Sequence, residues 1–316
     1  IKIVKTLKVP VINRLSDFCD MTAEDIYNEY EALLNHIFVN VESDVKSYNA
    51  CDGIHELIDK LNNGINVGLP LYNAKLVNKE ISGLNLGQIY GIGGVTGSGK
   101  STTLINWMLP SIIEYDEKMV LIINEEDETK VQRELIIWVA NNVFKQELHK
   151  YVLRDGNFDK DTLELLRKCA DWIEGKKSKR NITIIPLERY TTNTVIKIIK
   201  KYASMGVKYF CIDTLKESAD TSSDKTWLEM TRDMVKLYDV IKPSAKNVCL
   251  VVTYQLGKIA AKQRYYTNNE VGMAKSITDV MSVNIMIRQP FEDEYEGGKN
   301  EIVGYKLEGK NGLTKI

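Results

Sequence analysis

The octapeptide Gly94-Val95-Thr96-Gly97-Ser98-Gly99-Lys100-Ser101 carries the complete pattern G-x-x-x-x-G-K-[ST], in which each fixed position has its own physical task. The glycines let the backbone wrap tightly, so that its N–H groups point at phosphate oxygens. Lys100 supplies a positive charge near the β- and γ-phosphates, and Ser101 offers a hydroxyl to Mg²⁺. The octapeptide therefore predicts a binding site for a nucleoside triphosphate and its magnesium ion.

The sequence on either side of the octapeptide has the pattern that such a loop requires. Residues 88–92 form a short apolar run typical of a buried strand, and residues 102–108 predict a helix whose positive N-terminal end faces the anion. A strand, a glycine-rich loop and a helix thus follow one another. The residues expected to bind the nucleotide are Gly94, Val95, Thr96, Gly97, Ser98, Gly99, Lys100, Ser101 and Thr102.

Beyond residue 68, apolar β-branched runs alternate with amphipathic helical segments. The alternation predicts an α/β fold in which helices cover both faces of a mostly parallel, twisted sheet. Ligands of such sheets bind beyond the carboxyl ends of the strands, where the phosphate loop lies. The predicted strands are 118–124, 182–185, 207–213 and 248–254, followed by a closing pair, 283–288 and 302–307; the predicted helices are 130–143, 194–205 and 225–241.

Residues 1–64 are predicted to form a small helical appendage, and residues 65–316 the main domain. Thr22 and Asp25 approximate a capping box ahead of an apolar helical face within residues 26–38. A second short helix is predicted after Asp52, and its apolar stripe consists of Ile54, Leu57, Ile58 and Leu61. These helices either pack on a core of their own or form a linker that packs on a neighbouring subunit.

The composition excludes several classes of protein. The formal net charge of the 316 residues is −1, so any contact with nucleic acid must come from a local patch rather than from a basic surface. The five cysteines form no C-x-x-C pair, and the three histidines show no metal-ligand spacing, which favours free thiols in a reducing, cytoplasmic compartment. No apolar stretch approaches the roughly 18 residues that cross a bilayer, so we expect no membrane partner.

Two strand ends carry carboxylates that could complete a nucleotide site. Asp213 ends the apolar strand 209–213 and is expected, with Ser101, to organise the Mg²⁺ shell; the simpler alternative is a turn or cap residue. The strand after the phosphate-loop helix ends in a carboxylate cluster, from which Glu126 is the first choice and Glu125 the second for activating water. The alternative is a solvated first turn stabilised by the following helix.

A third strand ends in Gln255, whose neutral amide could hydrogen-bond the γ-phosphate or the attacking water. Two segments could contact nucleic acid, namely residues 215–224 and residues 257–273. The second segment combines bases with aromatic residues, a pattern that suits phosphate contacts and base stacking, although a basic loop can also be an ordinary solvated surface. The expected nucleic-acid contacts are Lys258, Lys262 and Arg264, with Tyr265 and Tyr266 nearby.

Taken in order, these pieces resemble the ATPase domain of DnaB-like replicative helicases, in the RecA-like superfamily, over residues 68–314. Residues 68–71 and 81–87 resemble the segment that leads to the phosphate loop, and residues 122–126 match the strand that ends in the family's catalytic glutamate, which falls on Glu126. Asp213 matches the second Walker motif. Residues 254–256 resemble the Ser-Gln-Leu sensor with Tyr for Ser, and residues 307–314 resemble the closing Lys-Asn-Arg-Asn-Gly-Pro-Thr motif.

The resemblance implies a RecA-like three-layer sandwich that uses ATP and Mg²⁺ at subunit boundaries of a hexameric ring. It also implies single-stranded or forked DNA as the substrate, with a primase and a helicase loader as further partners. The helical segment 52–61 corresponds to the family's linker, which docks on the adjacent subunit. The residues expected to act in catalysis are then Lys100, Glu126, Gln255 and Lys310.

The closing motif is where this sequence departs from the family. Lys310 takes the place of the arginine that reaches into the neighbouring site, and Glu308 replaces the motif's first lysine. Lysine supplies a point charge without the planar fork of arginine, so hydrolysis is expected to be slower unless Arg288 compensates. The divergence suggests a phage or other mobile-element member, acting in the cytoplasm of a bacterium or an infected host cell.

The leading hypothesis is therefore an ATP-driven, ring-forming DNA helicase. A RecA-like recombination or remodelling ATPase that forms filaments on DNA shares the core but not the linker. A third hypothesis, prompted by Glu308 and Lys310, is an ATP-binding replication adaptor with weak hydrolysis.

Overall fold

The computed structural model divides the chain into two units, Ile1–Asn63 and Gly64–Ile316, and each is described by itself. The described residues are 21–22, 25, 49–62, 68–125, 127–175, 181–219, 226–267, 277–291, 294–296 and 301–302. The predicted residues Glu126, Glu308 and Lys310, and the apolar face within residues 26–38, lie outside these ranges.

In the first unit, the predicted capping box is confirmed. The Asp25 N–H donates to Thr22 Oγ1 (3.1 Å), and the Thr22 N–H donates to Asp25 Oδ2 (3.2 Å). Helix α1 (Ile54–Asn62) follows the turn at residues 50–53. The four apolar residues of its stripe all remain exposed, with relative accessibilities of 45% for Ile54, 46% for Leu57, 54% for Ile58 and 47% for Leu61.

The second unit contains strands β1 (Ile89–Gly94), β2 (Met119–Ile123), β3 (Ile182–Pro186), β4 (Tyr209–Asp213), β5 (Cys249–Gln255), β6 (Val283–Ile287), β7 (Tyr295–Glu296) and β8 (Glu301–Ile302). Its helices are α2 (Lys75–Ile81), α3 (Lys100–Glu114), α4 (Glu128–Asn142), α5 (Lys150–Asp155), α6 (Lys160–Gly175), α7 (Thr192–Ser204) and α8 (Thr226–Ile241), with a 3₁₀ helix at Lys258–Lys262. Within the described ranges, no helix has the length and apolar character needed to cross a bilayer.

Six strands form one parallel sheet in the order β3-β2-β4-β5-β1-β6, which confirms the predicted parallel α/β architecture. The closing pair differs from the prediction, because β6 pairs in parallel with β1 and β8 pairs antiparallel with β7. The segment predicted as a polar connection thus supplies β7, the partner of residues 301–302. Strand periodicity marks a segment as a strand but does not specify its neighbour, which accounts for the difference.

The central strands are buried on both faces, so alternate residues of each strand belong to two separate cores. On β5, Leu250 and Val252 face a core shared with α7 and α8, while Cys249 and Val251 face a core shared with α3. A third cluster joins α4 to α6 through Val139, Ala140, Leu148, Leu165 and Cys169. Full burial of one such aliphatic side chain contributes roughly 1.5–3 kcal/mol, so these layers hold the carboxyl ends of β1, β2, β4 and β5 along one edge.

Candidate nucleotide-binding site

The phosphate loop connects the end of β1 directly to the first residue of α3. Gly97 and Gly99 have φ angles of +80° and +94°, and no atom lies within 4 Å of a Cβ built at either position. Glycine is therefore required there by the left-handed backbone and not by lack of space. The Ser98 N–H donates to the Val95 carbonyl oxygen (3.1 Å), which closes the turn ahead of Lys100.

Lys100 lies at the start of α3, with its ammonium turned back over the loop. Its Nζ donates to the Val95 carbonyl oxygen (3.1 Å). Burial lowers the pKa of Lys100 below the usual lysine range, while the negative charges of Glu125 and Asp213 act to raise it. Both carboxylates thus lie within electrostatic range of the lysine that is expected to bind the β- and γ-phosphates.

Asp213 is a buried carboxylate at the carboxyl end of β4. Its Oδ1 accepts hydrogen bonds from Thr253 Oγ1 (2.6 Å) and Thr214 Oγ1 (3.3 Å). The two hydroxyl donors orient the carboxylate, which suits a group that supports a magnesium shell. Thr253 is a site residue that the sequence analysis missed, because a threonine inside an apolar strand has no distinctive pattern.

The other predicted metal-binding residue, Ser101, lies in the first turn of α3, at the same edge of the sheet. Only β5 separates β4 from β1, the strand that leads into the phosphate loop. No cluster of three His, Cys, Asp or Glu side chains among the described residues could hold a metal alone. Magnesium is commonly held by one or two protein groups plus substrate phosphates, so Ser101 and Asp213 fit a nucleotide-borne ion.

The ends of β2 and β4 are joined by a reciprocal amide contact, which the sequence analysis did not identify. Asn124 Nδ2 donates to the Thr214 carbonyl oxygen (2.6 Å), and the Thr214 N–H donates to Asn124 Oδ1 (3.1 Å). Glu125 follows directly, where its Oε1 lies 3.2 Å from Lys216 Nζ and its Oε2 accepts from Thr214 Oγ1 (3.4 Å). Glu125, the second choice for activating water, therefore lies at the nucleotide edge of the sheet.

The alternative interpretation of the carboxylate cluster, a capped first turn of the following helix, describes Asp127. This residue is the N-cap of α4, where its carboxylate accepts from the Lys130 N–H (2.9 Å) and from Thr129 Oγ1 (2.6 Å). These hydrogen bonds lower the pKa of Asp127. Glu125 instead contacts residues of the neighbouring strand end and acts on Lys100.

Gln255, at the end of β5, contacts the phosphate loop. Its Nε2 donates to Thr96 Oγ1 (2.9 Å), and Gln255 pairs with Gly94 in the register of β5 and β1. Thr96 was predicted to bind nucleotide, and its hydroxyl also links the loop to the expected sensor.

Tyr254, which replaces the serine of the resembling motif, is a core residue. A Cβ built on Gly93 would lie 2.5 Å from the Tyr254 ring, so the ring occupies the space beside the glycines of β1. Its hydroxyl donates to Asn284 Oδ1, and burial raises the pKa of Tyr254 to about 12. The departure from the motif therefore reflects packing of β5 on β1.

The predicted nucleic-acid residues follow β5. Lys262 is exposed at the end of the 3₁₀ helix, whereas the Lys258 side chain lies outside the described part of the structure. Arg264 Nη1 lies 3.2 Å from Glu294 Oε1, and its guanidinium stacks 4.9 Å from the centre of the Phe291 ring. Arg288 binds the same carboxylate (2.6 Å), so the arginine expected to compensate for Lys310 is held by an ion pair.

Solved structures with the same fold come from DNA replication proteins. The ATPase domain of a phage helicase has a TM-score of 0.62 and 13% sequence identity, covering 81% of this chain and 88% of that chain. A DnaB-like replicative helicase, described with its interactions with primase, has a TM-score of 0.64 and 14% identity, covering 93% of this chain and 69% of that chain. No protein-family model and no curated protein matches the sequence.

At these identities the similarity shows the fold. The chain has the RecA-like α/β fold of DnaB-type helicase ATPase domains, as the motifs predicted.

Proposed function

We propose that this chain is the ATP-hydrolysing motor of a DnaB-like replicative DNA helicase. In this proposal, copies of the chain form a ring, ATP is hydrolysed at the subunit boundaries, and single-stranded DNA is drawn through the ring so that forked duplex is unwound. The observation that carries the proposal is the meeting of the phosphate loop, Asp213 and Gln255 at one edge of a RecA-like sheet. The fold shared with DnaB-type ATPase domains supports the choice of motor.

The proposed chemistry assigns one task to each residue. The backbone N–H groups of the phosphate loop and the Lys100 ammonium bind the phosphates and neutralise the charge that develops on them. Ser101 and Asp213 hold the magnesium ion, which supplies charge neutralisation between the β- and γ-phosphates. Glu126 accepts a proton from the attacking water, and Gln255 senses the γ-phosphate beside Thr96.

The first experiment compares strand displacement on forked DNA, with ATP and Mg²⁺, between the unmodified chain and Lys100→Ala. Lys100→Ala should abolish both ATP turnover and displacement, because the loop loses its only side-chain cation. A chain that displaces no strand although it hydrolyses ATP would refute the helicase proposal while leaving the ATPase site standing.

The second experiment separates the two glutamates at the end of β2. Glu126→Gln should preserve ATP binding and lower kcat about 10²-fold or more, because glutamine cannot take up the proton. Glu125→Gln serves as the matched variant and should retain measurable turnover. Ordinary turnover by Glu126→Gln, with loss in Glu125→Gln, would assign the proton acceptor to Glu125.

Assembly into a ring is proposed from the exposed face of α1. Its four apolar side chains, within nine residues, are each about half exposed, although burial of such a stripe is what normally maintains an amphipathic helix. We therefore propose that residues 1–64 act as a linker whose helix α1 docks on a second copy of the chain.

The second unit offers a groove of complementary chemistry for this helix. Apolar Ile137 and Leu153 line the groove together with basic Lys130, Arg133 and Arg154. Helix α1 carries acidic Glu56 and Asp59 beside its apolar stripe, so both the apolar and the charged parts of the helix find a match on another copy.

The remaining partners follow from the same proposal. Lys310 of one subunit completes the site of the next, and a primase and a loader act with the ring in the cytoplasm of a bacterium or an infected cell. The similar helicase structure was described with primase interactions, which supports the first of these partners. In mixed oligomers, Lys310→Ala subunits should lower turnover of unmodified neighbours, whereas a site completed within one chain would show proportional loss only.

One observation favours a second function, an ATP-binding adaptor with weak hydrolysis. Arg288, the arginine available to replace the family's missing one, is engaged by Glu294 through two short contacts of 2.6 Å. An adaptor would bind ATP yet show no increase in turnover on single-stranded DNA. Stimulation of the ATPase by DNA would exclude this alternative.

A further inference from the structure

Two arginines share one buried carboxylate close to the phosphate loop. The Glu294 side chain is 2% exposed, and Arg288 binds it in a two-pronged contact, Nη1 to Oε2 and Nη2 to Oε1, each 2.6 Å. Arg264 Nη1 lies 3.2 Å from Oε1, and the Phe291 N–H donates to Oε2 (2.8 Å). Both guanidinium groups lie 4.9 Å from the centre of the Phe291 ring.

This arrangement holds together segments that are distant in the sequence. A buried carboxylate needs charged partners, and without it the two guanidinium groups would face one another unneutralised. Arg288 also donates from Nε to the Arg264 carbonyl oxygen (2.7 Å) and from Nη1 to the Gln289 carbonyl oxygen (3.0 Å). The cluster of Arg264, Arg288 and Glu294 therefore fixes the backbone at Arg264 against the segment that follows β6.

The segment that follows β6 in turn contacts the phosphate loop. Gln289 Nε2 donates to the Gly97 carbonyl oxygen (3.3 Å). At the end of β6, Ile287 lies opposite Gly94 of β1, and a Cβ on Gly94 would lie 2.9 Å from the Ile287 carbonyl oxygen. A displacement of the phosphate loop would thus be felt by residues 287–289.

The segment between residues 255 and 264 is attached to the phosphate loop at both ends. At its start, Gln255 donates to Thr96 Oγ1 (2.9 Å). At its end, Arg264 reaches Gly97 through the arginine–glutamate cluster and Gln289. Between these ends lies the 3₁₀ helix Lys258–Lys262, on which the Ile259 side chain is 76% exposed and Lys262 is exposed.

We propose that the cluster of Arg264, Arg288 and Glu294 is a second route, besides Gln255, by which the state of the nucleotide site sets the position of the DNA-facing segment 258–264. The inference rests on the proposed function, because it takes this segment as a contact for single-stranded DNA. Arg288 and Glu294 act as positioning residues through Gln289, whose side-chain amide reaches the Gly97 carbonyl oxygen across 3.3 Å.

The test uses Gln289→Ala in the full chain, since this exposed residue can be shortened without opening a core. The readout is the ratio of affinities for a fluorescein-labelled thymidine oligonucleotide, measured with a non-hydrolysable ATP analogue and with ADP. Allosteric coupling between two sites is usually worth about 5- to 150-fold, so the ratio should fall by about fivefold or more towards one. Gln132→Ala, the same change on an exposed face of α4, should keep the unmodified ratio.

Glu294→Gln provides the second variant, because it keeps the shape of the side chain and removes its charge. It should lower the ratio as Gln289→Ala does, and a thermal unfolding curve shows whether it folds; if it does not fold, Gln289→Ala decides. A merely structural role would weaken DNA binding equally with both nucleotides and leave the ratio unchanged, which would overturn the inference.

The unmodified chain distinguishes failure of the inference from failure of the proposed function. If its DNA affinity does not depend on the nucleotide, the motor proposal fails and the inference fails with it. If its affinity does depend on the nucleotide and Gln289→Ala retains the full ratio, the cluster has no part in the coupling and the motor proposal stands.

Discussion

Lys100 is the residue whose chemistry changes most when a nucleotide binds. Its ammonium is partly buried beside the loop, and burial lowers its pKa, while Glu125 and Asp213 oppose that effect. A bound triphosphate would add negative charge next to the same group and favour its protonated form.

We therefore expect ATP affinity to fall with rising pH at alkaline values below those at which an ordinary lysine titrates. The sign follows from linkage, since the bound state holds the proton more tightly than the free state. Titration of a fluorescent ATP analogue across the alkaline range measures the effect. Lys100→Arg should bind more weakly but with a flat profile, because guanidinium remains charged. An identical slope in both proteins would place the titrating group elsewhere.

The pairing of β1 with β5 shows how two strands adjust to each other at the scale of the element. The loop at the end of β1 needs glycine for its backbone, whereas Gly93, within the strand, lies where the Tyr254 ring leaves no room for a side chain. The strand that carries the phosphate loop and the strand that carries Gln255 are therefore packed as one unit.

Gly93→Ala should lower the free energy of unfolding by about 1–3 kcal/mol, because the new methyl group overlaps the Tyr254 ring. Tyr254→Ser should cost about 3–5 kcal/mol through the space that it leaves. The double variant should lose less than the sum of the two single losses, as contacting residues do. Urea unfolding measures all three.

Gly175→Ala is the matched control for this cycle, because nothing lies within 4 Å of a Cβ at that helix end. We expect it to be neutral or slightly stabilising. Strict additivity of the Gly93 and Tyr254 changes would mean that the two residues do not compete for the same space.

At the scale of the whole molecule, the main question is what covers α1. Its apolar side chains are about half exposed, in contrast to the buried stripes of α3 and α7. A helix with this composition gains stability when its face is covered, and a second copy of the chain would also complete the nucleotide site in the proposed ring.

Leu57→Glu should reduce the oligomer formed with ATP and Mg²⁺ to smaller species, because a carboxylate at the centre of the stripe is costly to bury. Light scattering coupled to size-exclusion chromatography gives the mass, and ATP turnover should fall in parallel. Met205→Glu, at an exposed residue that ends α7, is the control and should leave the mass unchanged. A monomeric unmodified chain, or an unaffected mass in Leu57→Glu, would contradict docking through α1.

Much of this architecture was predictable from local patterns. The phosphate loop follows from eight contiguous residues, the parallel sheet from alternating apolar runs, and the Thr22–Asp25 box from a spacing of three. Such features depend on residues close together in the chain, so their physical requirements can be recognised directly in the order of amino acids.

Tertiary structure decided which distant residues meet. The Asn124–Thr214 contact spans 90 residues, Thr253 binds Asp213 across 40, and Arg264 meets Glu294 across 30. The partners of β6 and of Tyr254 likewise depend on the strand order and register. Periodicity records whether a side chain faces a core or the solvent, but the neighbour across that core is set only when the strands assemble.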